Sequence, residues 1–431
     1  MTRYHQIDPS LFIRNRSNLI QNLKPNSLVV LNANDIMPTN ADGIMPFRQN
    51  SDLFYLSGID QEETILVLYP DAPQTEYKEV LFLKETNEQI MIWEGQKYTK
   101  EEAREITGIK HIYWISEFES IFYKLMGQAD YVYLNTNEHS RADNPVQTRD
   151  SRFIAWCQGR YPLHHYERLA PLMEHLRAVK SEIEIDLMKT ACQITDKGFR
   201  RILPLVKPGI MEYEIEAELL GEFVRHRSRG FAYGPIVASG ANACVLHYHA
   251  NNLRCQAGTT ILLDVGAEYA NYASDLTRVI PVSGRFSQRQ RAVYDALLRI
   301  MRQAQTMLVP GNELLTYQRT LAEVIEYELM GLGLLDRTDI KNQDPQYPAY
   351  KKYFMHGMSH HLGLNTHDLG NIHRKFEVGM VLTIEPGIYI REEGLGMRLE
   401  NNFVVREQGA EDLMATIPIE AEEIESLMHA R

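Results

Sequence analysis

Short apolar runs separated by helix-length stretches fill the first 175 residues. SLVVLN, ETILVLYP, KEVLFLK and YVYLN are each bounded by Asn, Asp, Pro or charged residues, and Phe12, Leu19, Ile20 and Leu23 form an amphipathic opening. Runs of that size between helical segments predict a mixed α/β domain. Near residue 180 the pattern changes. Ser181 followed by Glu184 predicts a capping box at the head of the helix SEIEIDLMKTACQITDKGFRRIL. A boundary there gives two domains, 1–177 and 178–431.

Beyond it the pattern predicts a Pro208-Gly209 turn, a helix over EYEIEAELLGEFVRHRS, and a pair of strands carrying Asp264 and Asp275. Two long helices follow around 287–308 and 312–330, the second stopped by Gly331 and Gly333. The polar, proline-containing stretch DRTDIKNQDPQYPAYKKYF reads as a loop. Strands return around Glu385 and Glu400. No short repeat or low-complexity segment interrupts the chain.

A length of 431 residues suffices for two full cores. With 45 basic against 57 acidic residues the formal charge is −12, and no dense Lys/Arg run offsets it, which argues against a nucleic-acid partner. The opening MTRYHQIDPSLFIRNRSNLIQNL lacks the apolar core of a signal peptide, and no apolar stretch is long enough to span a membrane. Cys157, Cys192, Cys244 and Cys255 show neither CxxC nor framework spacing and read as reduced thiols. A cytoplasmic protein with no membrane partner is expected.

The acids of the second half change the picture most. Asp264 and Asp275 lie in TILLDVGAEYANYASDLTRVIPV, two apolar strands around a tight turn. A turn centred on Tyr269 and Ala270 would set the aspartates directly opposite each other, with Cβ atoms about 4.5–5.5 Å apart. Two opposed carboxylates repel unless one keeps its proton or a cation joins them. Either aspartate alone reads equally well as a turn or edge residue; the pair points to metal. Glu385 ends an apolar strand in GMVLTIEPGIYI, where an acid needs a partner. In GLGMRLENNFVV, Arg398 and Glu400 share a strand face, either as a surface ion pair or with Arg398 orienting a metal-bound carboxylate. Histidines concentrate in FMHGMSHHLGLNTHD as His356, His360, His361 and His367. Gly357 stands where an HExxH zinc motif needs glutamate. His247, in VLHYHANN, reads alone as a core or turn histidine. Asp264, Asp275, His360, Glu385 and Glu400 form an oxygen-rich set that suits Mn²⁺, Co²⁺ or Fe²⁺ and argues against a closed thiolate zinc site.

Taken in order, GPIVASGANACVLHYHANN, LLDVGAEYANYASDLTR, FMHGMSHHLGLNTHD, LTIEPGIYI and MRLEN resemble the dinuclear-metal pita-bread peptidases, and most of all the Xaa-Pro aminopeptidase (aminopeptidase P) family. The N-terminal stretch MPFRQNSDLFYLSGIDQEETILVL is similar to that family's N-terminal domain. The resemblance implies an α/β N-terminal domain of the creatinase/aminopeptidase P type over 1–177 and an α+β pita-bread catalytic domain over 178–431. It implies two divalent ions per chain, Mn²⁺ foremost, with Co²⁺, Fe²⁺ or Zn²⁺ as other fits. Asp264 would hold one ion through both oxygens, Asp275 and Glu400 would bridge the two, and His360 and Glu385 would each complete one side. His247, His356 and His367 match histidines that contact substrate and stabilise the tetrahedral intermediate. Arg398 matches an arginine behind the ligands, and Tyr389 a nearby tyrosine. Trp93, in MIWEGQKY, resembles a tryptophan that reaches a neighbouring subunit's site, although an ordinary core tryptophan fits it equally well. Asn365 stands where GLxxHD commonly has aspartate, and Asn401 where an acid usually follows the glutamate; neither is a ligand position.

The activity implied is metal-dependent hydrolysis of the Xaa–Pro bond at the N-terminus of peptides with proline second, by a metal-bridging hydroxide, with Glu385 passing a proton to the departing nitrogen. A homo-oligomer, dimer or tetramer, goes with it. Prolidase, the Xaa-Pro dipeptidase, is the alternative on the same fold. An inactive pita-bread binding module or a metal-free creatinase-like hydrolase would have lost ligands, and none is lost here. Methionine aminopeptidase does not need so large an N-terminal domain.

Overall fold

The computed structural model describes residues 2–142 and 145–429. The chain packs as two compact units, Met1–Arg177 and Ala178–Arg431.

The first unit is built on a six-stranded mixed sheet. Its strands are β1 (Ser27–Asn32), β2 (Ile65–Leu68), β3 (Glu79–Leu83), β4 (His111–Trp114), β5 (Tyr131–Leu134) and β6 (His165–Arg168), in the order β4-β3-β2-β1-β5-β6. Four were legible as apolar runs. β4 and β6 were not, because as edge strands they keep polar, half-exposed positions such as His111 and His165. The central β1 is buried at every position, as a strand covered on both faces must be. One face packs an aromatic cluster in which Phe118 stacks on Phe122 at 5.0 Å between centroids and Phe153 and Trp156 close the edge. Phe12 and Leu19 of the opening helix Ser10–Ile20 are buried within the same unit.

The second unit opens as its sequence dictates. Ser181 caps the helix Glu182–Ile202, with a capping box completed by Glu184. Gly198 lets the helix Glu212–Arg225 come close, since a Cβ there would lie 2.5 Å from the Phe223 ring. Three antiparallel groups of strands follow. β7 (Ile236–Ser239), β8 (Thr260–Val265) and β11 (Leu276–Pro281) form one, with the short β9 (Glu268–Tyr269) and β10 (Tyr272–Ala273) at the hairpin tip. β12 (Val381–Ile384), β15 (Asn401–Arg406) and β16 (Gly409–Asp412) form the second, and β13 (Gly387–Ile390) with β14 (Leu395–Arg398) the third. The long helices Gln288–Met307 and Leu314–Gly331 lie where the apolar period placed them. The stretch read as a loop contains a short helix, Arg337–Lys341, because Asp336 caps it and Asp339 answers in a capping box. No helix among the described residues is long and apolar enough to cross a membrane.

Candidate metal centre

The hairpin that carries the two aspartates turns one residue later than its sequence suggested. Tyr269 pairs with Tyr272, and Ala270 and Asn271 take φ of 52° and 68°. Two successive left-handed residues are what a type I′ turn needs, and Asn tolerates them well. The Glu268 carboxylate accepts from the Asn271 amide, and the Arg229 guanidinium donates to the Asn271 side chain. Asp264 therefore faces Thr277, and Asp275 sits diagonally from Asp264 instead of opposite it. The pair still converges. Tyr233 Oη donates to Asp264 Oδ1 at 2.7 Å and lies 2.6 Å from Asp275 Oδ1. One hydroxyl proton serves both, so the contacts share it.

Glu400 enters between β14 and β15, where its amide donates to the Thr277 carbonyl at 3.0 Å. Glu385 follows β12 and is held by its amide to the Met358 carbonyl at 2.9 Å. The histidine loop lies alongside: the Thr383 amide donates to the His360 carbonyl at 2.9 Å. His360 Nε2 lies 3.4 Å from Asp275 Oδ2, 3.8 Å from Glu385 Oε1 and 3.9 Å from Glu400 Oε1. Its Nδ1 lies 2.9 Å from the His361 carbonyl, which can only accept, so Nδ1 carries the proton. In the neutral ring Nε2 then turns a lone pair toward the carboxylates, the tautomer a metal ligand requires.

Electrostatics fit the same use. Burial pushes the Glu400 carboxyl well up, and Asp275, Glu385 and Asp264 push it further. Burial likewise raises Asp264, against the pull of Arg398, and raises Glu385 to about 7, against His360 and Arg398. Burial disfavours a charged His360, but Asp275 and Glu385 carry its pKa upward. Ionising these carboxyls together is thus costly where water is scarce, and Glu400 Oε1 is buried without a hydrogen-bond partner. Donor atoms of Asp275, His360 and Glu400 lie within 4.8 Å of one another. A divalent cation among them would satisfy that oxygen and relieve the repulsion, so the residues fit one.

Around this cluster runs a hydrogen-bonded chain. Arg398 Nη2 donates to Asp264 Oδ2 at 2.5 Å, its Nη1 to Tyr389 Oη at 2.7 Å, and its Nε to Thr277 Oγ1 at 3.1 Å. Thr277 Oγ1 donates to Glu400 Oε2 at 2.7 Å. Tyr389 Oη lies 2.9 Å from His356 Nε2, whose Nδ1 donates to the Gly357 carbonyl at 2.8 Å. Burial pushes the Tyr389 hydroxyl up to about 12, so it remains a donor, to His356. His356 Nδ1 is also 3.9 Å from Glu385 Oε2. The His367 ring meets the His360 ring edge-on, with centroids 4.4 Å apart.

Two candidates stand apart. His247 is exposed and its ring lies over His249 at 6.3 Å; among the described residues no hydrogen bond, ion pair or ring contact joins it to the carboxylates. Trp93 is 82% exposed on the helix Glu88–Glu94, which rules out the core reading. Sequence reasoning missed four supporting residues. Tyr233 and Thr277 bond directly to candidate ligands. Asn402 clamps the Asp275 backbone, donating to its carbonyl at 2.6 Å and accepting from its amide at 3.0 Å. Arg278, wholly buried, donates to the Glu400 carbonyl at 2.9 Å and to Asn401 Oδ1 at 2.7 Å. A charged residue inside an apolar strand, as in LTRVIP, was the one available signal.

The chain is similar to known proteins along nearly its whole length. Residues 186–407 match the model of metallopeptidase family M24, and residues 12–133 that of the aminopeptidase P N-terminal domain. The chain is 34% identical to a Haemophilus influenzae Xaa-Pro aminopeptidase over 97% of each chain. It is 33% identical to the Escherichia coli Xaa-Pro aminopeptidase over 99% of each. Among solved structures, Pseudomonas aeruginosa aminopeptidase PepP superposes with a TM-score of 0.89 at 32% identity, over 98% of both chains. Escherichia coli aminopeptidase P in complex with substrate gives 0.87 at 33% identity, over 98% of this chain and 99% of that one.

Proposed function

The chain belongs to metallopeptidase family M24, with an aminopeptidase P N-terminal domain ahead of the catalytic one, and from that membership we propose that it releases the first residue of peptides whose second residue is proline. It is a metal-dependent aminopeptidase, and its substrates are peptides. The observation that carries the site assignment is a buried cluster in which His360 Nε2 lies within 3.9 Å of Asp275, Glu385 and Glu400, Tyr233 joins Asp264 to Asp275, and Glu400 Oε1 has no hydrogen-bond partner. Asp264 would hold one ion, Asp275 and Glu400 would bridge two, and His360 and Glu385 would complete the sides. Mn²⁺ is the first choice, with Co²⁺, Fe²⁺ or Zn²⁺ as substitutes, since an oxygen-rich set with one imidazole accepts all four. When bound, such ions lower the pKa of water toward neutrality and polarise the scissile carbonyl.

The protein's own groups do the rest. The amide nitrogen of an Xaa–Pro bond has no proton, so the proline leaves as an amine only if one is delivered to it. The resemblance assigns that delivery to Glu385, whose Oε2 lies 3.9 Å from His356 Nδ1. Arg398 and Tyr389 fix the His356 ring, and His367 stands beside the His360 imidazole, which supports the reading of both histidines as substrate contacts. His247, on its exposed loop, is assigned the same role by resemblance.

Exposed Trp93, with Ile92 and Met91 beside it on one short helix, supports a homo-oligomer, dimer or tetramer, in which this face meets another copy. Four free cysteines without a framework support a reducing, cytoplasmic setting, and the −12 charge speaks against nucleic acid. Product analysis tests the function. Metal-loaded protein should free the first residue from Xaa-Pro-Yaa and leave Xaa-Ala-Yaa intact. Equal release from both would contradict the proline requirement.

A further inference from the structure

A second buried charge cluster lies behind the histidine loop. Lys180 Nζ sits 3.1 Å from Asp368 Oδ2, and both side chains are 1% exposed. Lys180 is itself anchored, its amide donating to the Gly379 carbonyl at 2.9 Å immediately before the Ser181 cap. Asp368 closes the histidine loop, its amide donating to the His361 carbonyl at 2.9 Å. Gly363 makes room for the pair: a Cβ there would lie 2.2 Å from Asp368 Oδ2 and 2.9 Å from Lys180 Cε. The Gly363 carbonyl in turn accepts from the Ala273 amide, at 2.8 Å, in the hairpin that carries the aspartates.

The cost of such a pair is what makes it informative. Desolvating two charges makes a buried ion pair a poor source of stability, and apolar residues of the same volume serve folding as well or better. The use that remains is geometric: it fixes one arrangement of the loop. Residue 367 is the neighbour of Asp368, and its ring meets the His360 ring at 4.4 Å. We propose that Lys180 and Asp368 are positioning residues for His367, holding its imidazole against the His360 ring and toward the peptide. The inference rests on the reading of His367 as a substrate contact, and the test separates the two.

The experiment is a double-mutant cycle on the full metal-loaded chain, with kcat for an Xaa-Pro tripeptide, bound metal and Tm measured for each variant. His367→Ala should lower kcat with metal content unchanged; unchanged kcat would overturn the reading of His367 and this proposal with it. Lys180→Met alone should lower Tm, because it strands a buried carboxylate. In Lys180→Met/Asp368→Leu, Tm should return toward the wild-type value while kcat stays about 10- to 100-fold down, the usual loss when a group behind a functional histidine is removed. Adding His367→Ala to that double should lower kcat no further. Losses that multiply, or a double variant with wild-type kcat, would show that the pair serves only the fold and overturn the proposal. Asp368→Asn, which keeps the shape, carries the same cycle if the double does not fold. A readout independent of turnover is the His367 ring resonance in ¹³C-histidine-labelled protein, identified by its loss in His367→Ala. It should shift in Asp368→Asn, and an unmoved resonance would also overturn the proposal.

Discussion

Arg398 Nη2 donates to Asp264 Oδ2 at 2.5 Å within the carboxylate cluster, with 6% and 14% of the two side chains exposed. A guanidinium there does part of what a metal ion would do, offsetting the charge of Asp264 and, at 4.0 Å, that of Glu400. Its weight should therefore depend on metal loading. Arg398→Met should destabilise metal-stripped protein by about 3–5 kcal/mol, the usual cost of breaking a buried pair. The loss should shrink once divalent ions are restored. Thermal melts of both forms check this, and equal losses would contradict it.

Loss of either carboxylate proposed to bridge the ions should be far more damaging to turnover. Asp275→Asn and Glu400→Gln keep size and polarity but remove the charge, and each should nearly abolish hydrolysis with a fall in bound metal. Elemental analysis beside kcat makes the check. Full metal content and near-normal turnover in either variant would remove that residue from the ligand set.

Stability of the stripped protein should fall as pH rises. Burial lifts Glu385 from its ordinary 4.5 to about 7, so between those values the folded chain keeps a proton that the unfolded chain has released. The penalty is absent below about pH 4.5, grows by up to about 1.4 kcal/mol per pH unit for this one group, and is complete above about pH 7. Glu400 and Asp264, raised from the same burial, add in the same direction. Added metal should therefore stabilise more at pH 7.5 than at pH 5. Melts with and without metal across that range decide it, and a gain that shrinks with rising pH would contradict the charge argument.

Peptide length should separate this enzyme from a dipeptidase. The N-terminal unit and the catalytic motifs both follow the aminopeptidase P pattern, so residues beyond proline should contribute binding energy used in turnover. kcat/KM for an Xaa-Pro dipeptide should be lower than for the same sequence extended by one or two residues. A clear preference for the dipeptide would assign the chain to prolidase.

The candidate ligands were legible in the sequence because acids such as Glu385 and Glu400, ending or joining apolar strands, demand a partner. The hairpin register was not, since TILLDVGAEYANYASDLTRVIPV allows a turn at 269–270 or at 270–271, and Asn271 with its contacts to Glu268 and Arg229 selects the second. Tyr233 stayed hidden for another reason. Its partners lie 31 and 42 residues away, and nothing local in FAYGP marks a hydroxyl that reaches two aspartates. Arg278 and Asn402 are similar, their partners being fixed by strand pairing between distant segments. In the N-terminal unit the buried strands announced themselves, and the half-exposed edges His111–Trp114 and His165–Arg168 did not.

The central claim is that hydrolysis depends on ions held by Asp264, Asp275, His360, Glu385 and Glu400. Chelator-stripped protein, titrated with Mn²⁺ while release of the first residue from an Xaa-Pro tripeptide is followed, tests it most directly. Activity should be absent at the start and rise to a plateau near two ions per chain. Full activity in protein shown by elemental analysis to be free of metal would contradict the claim.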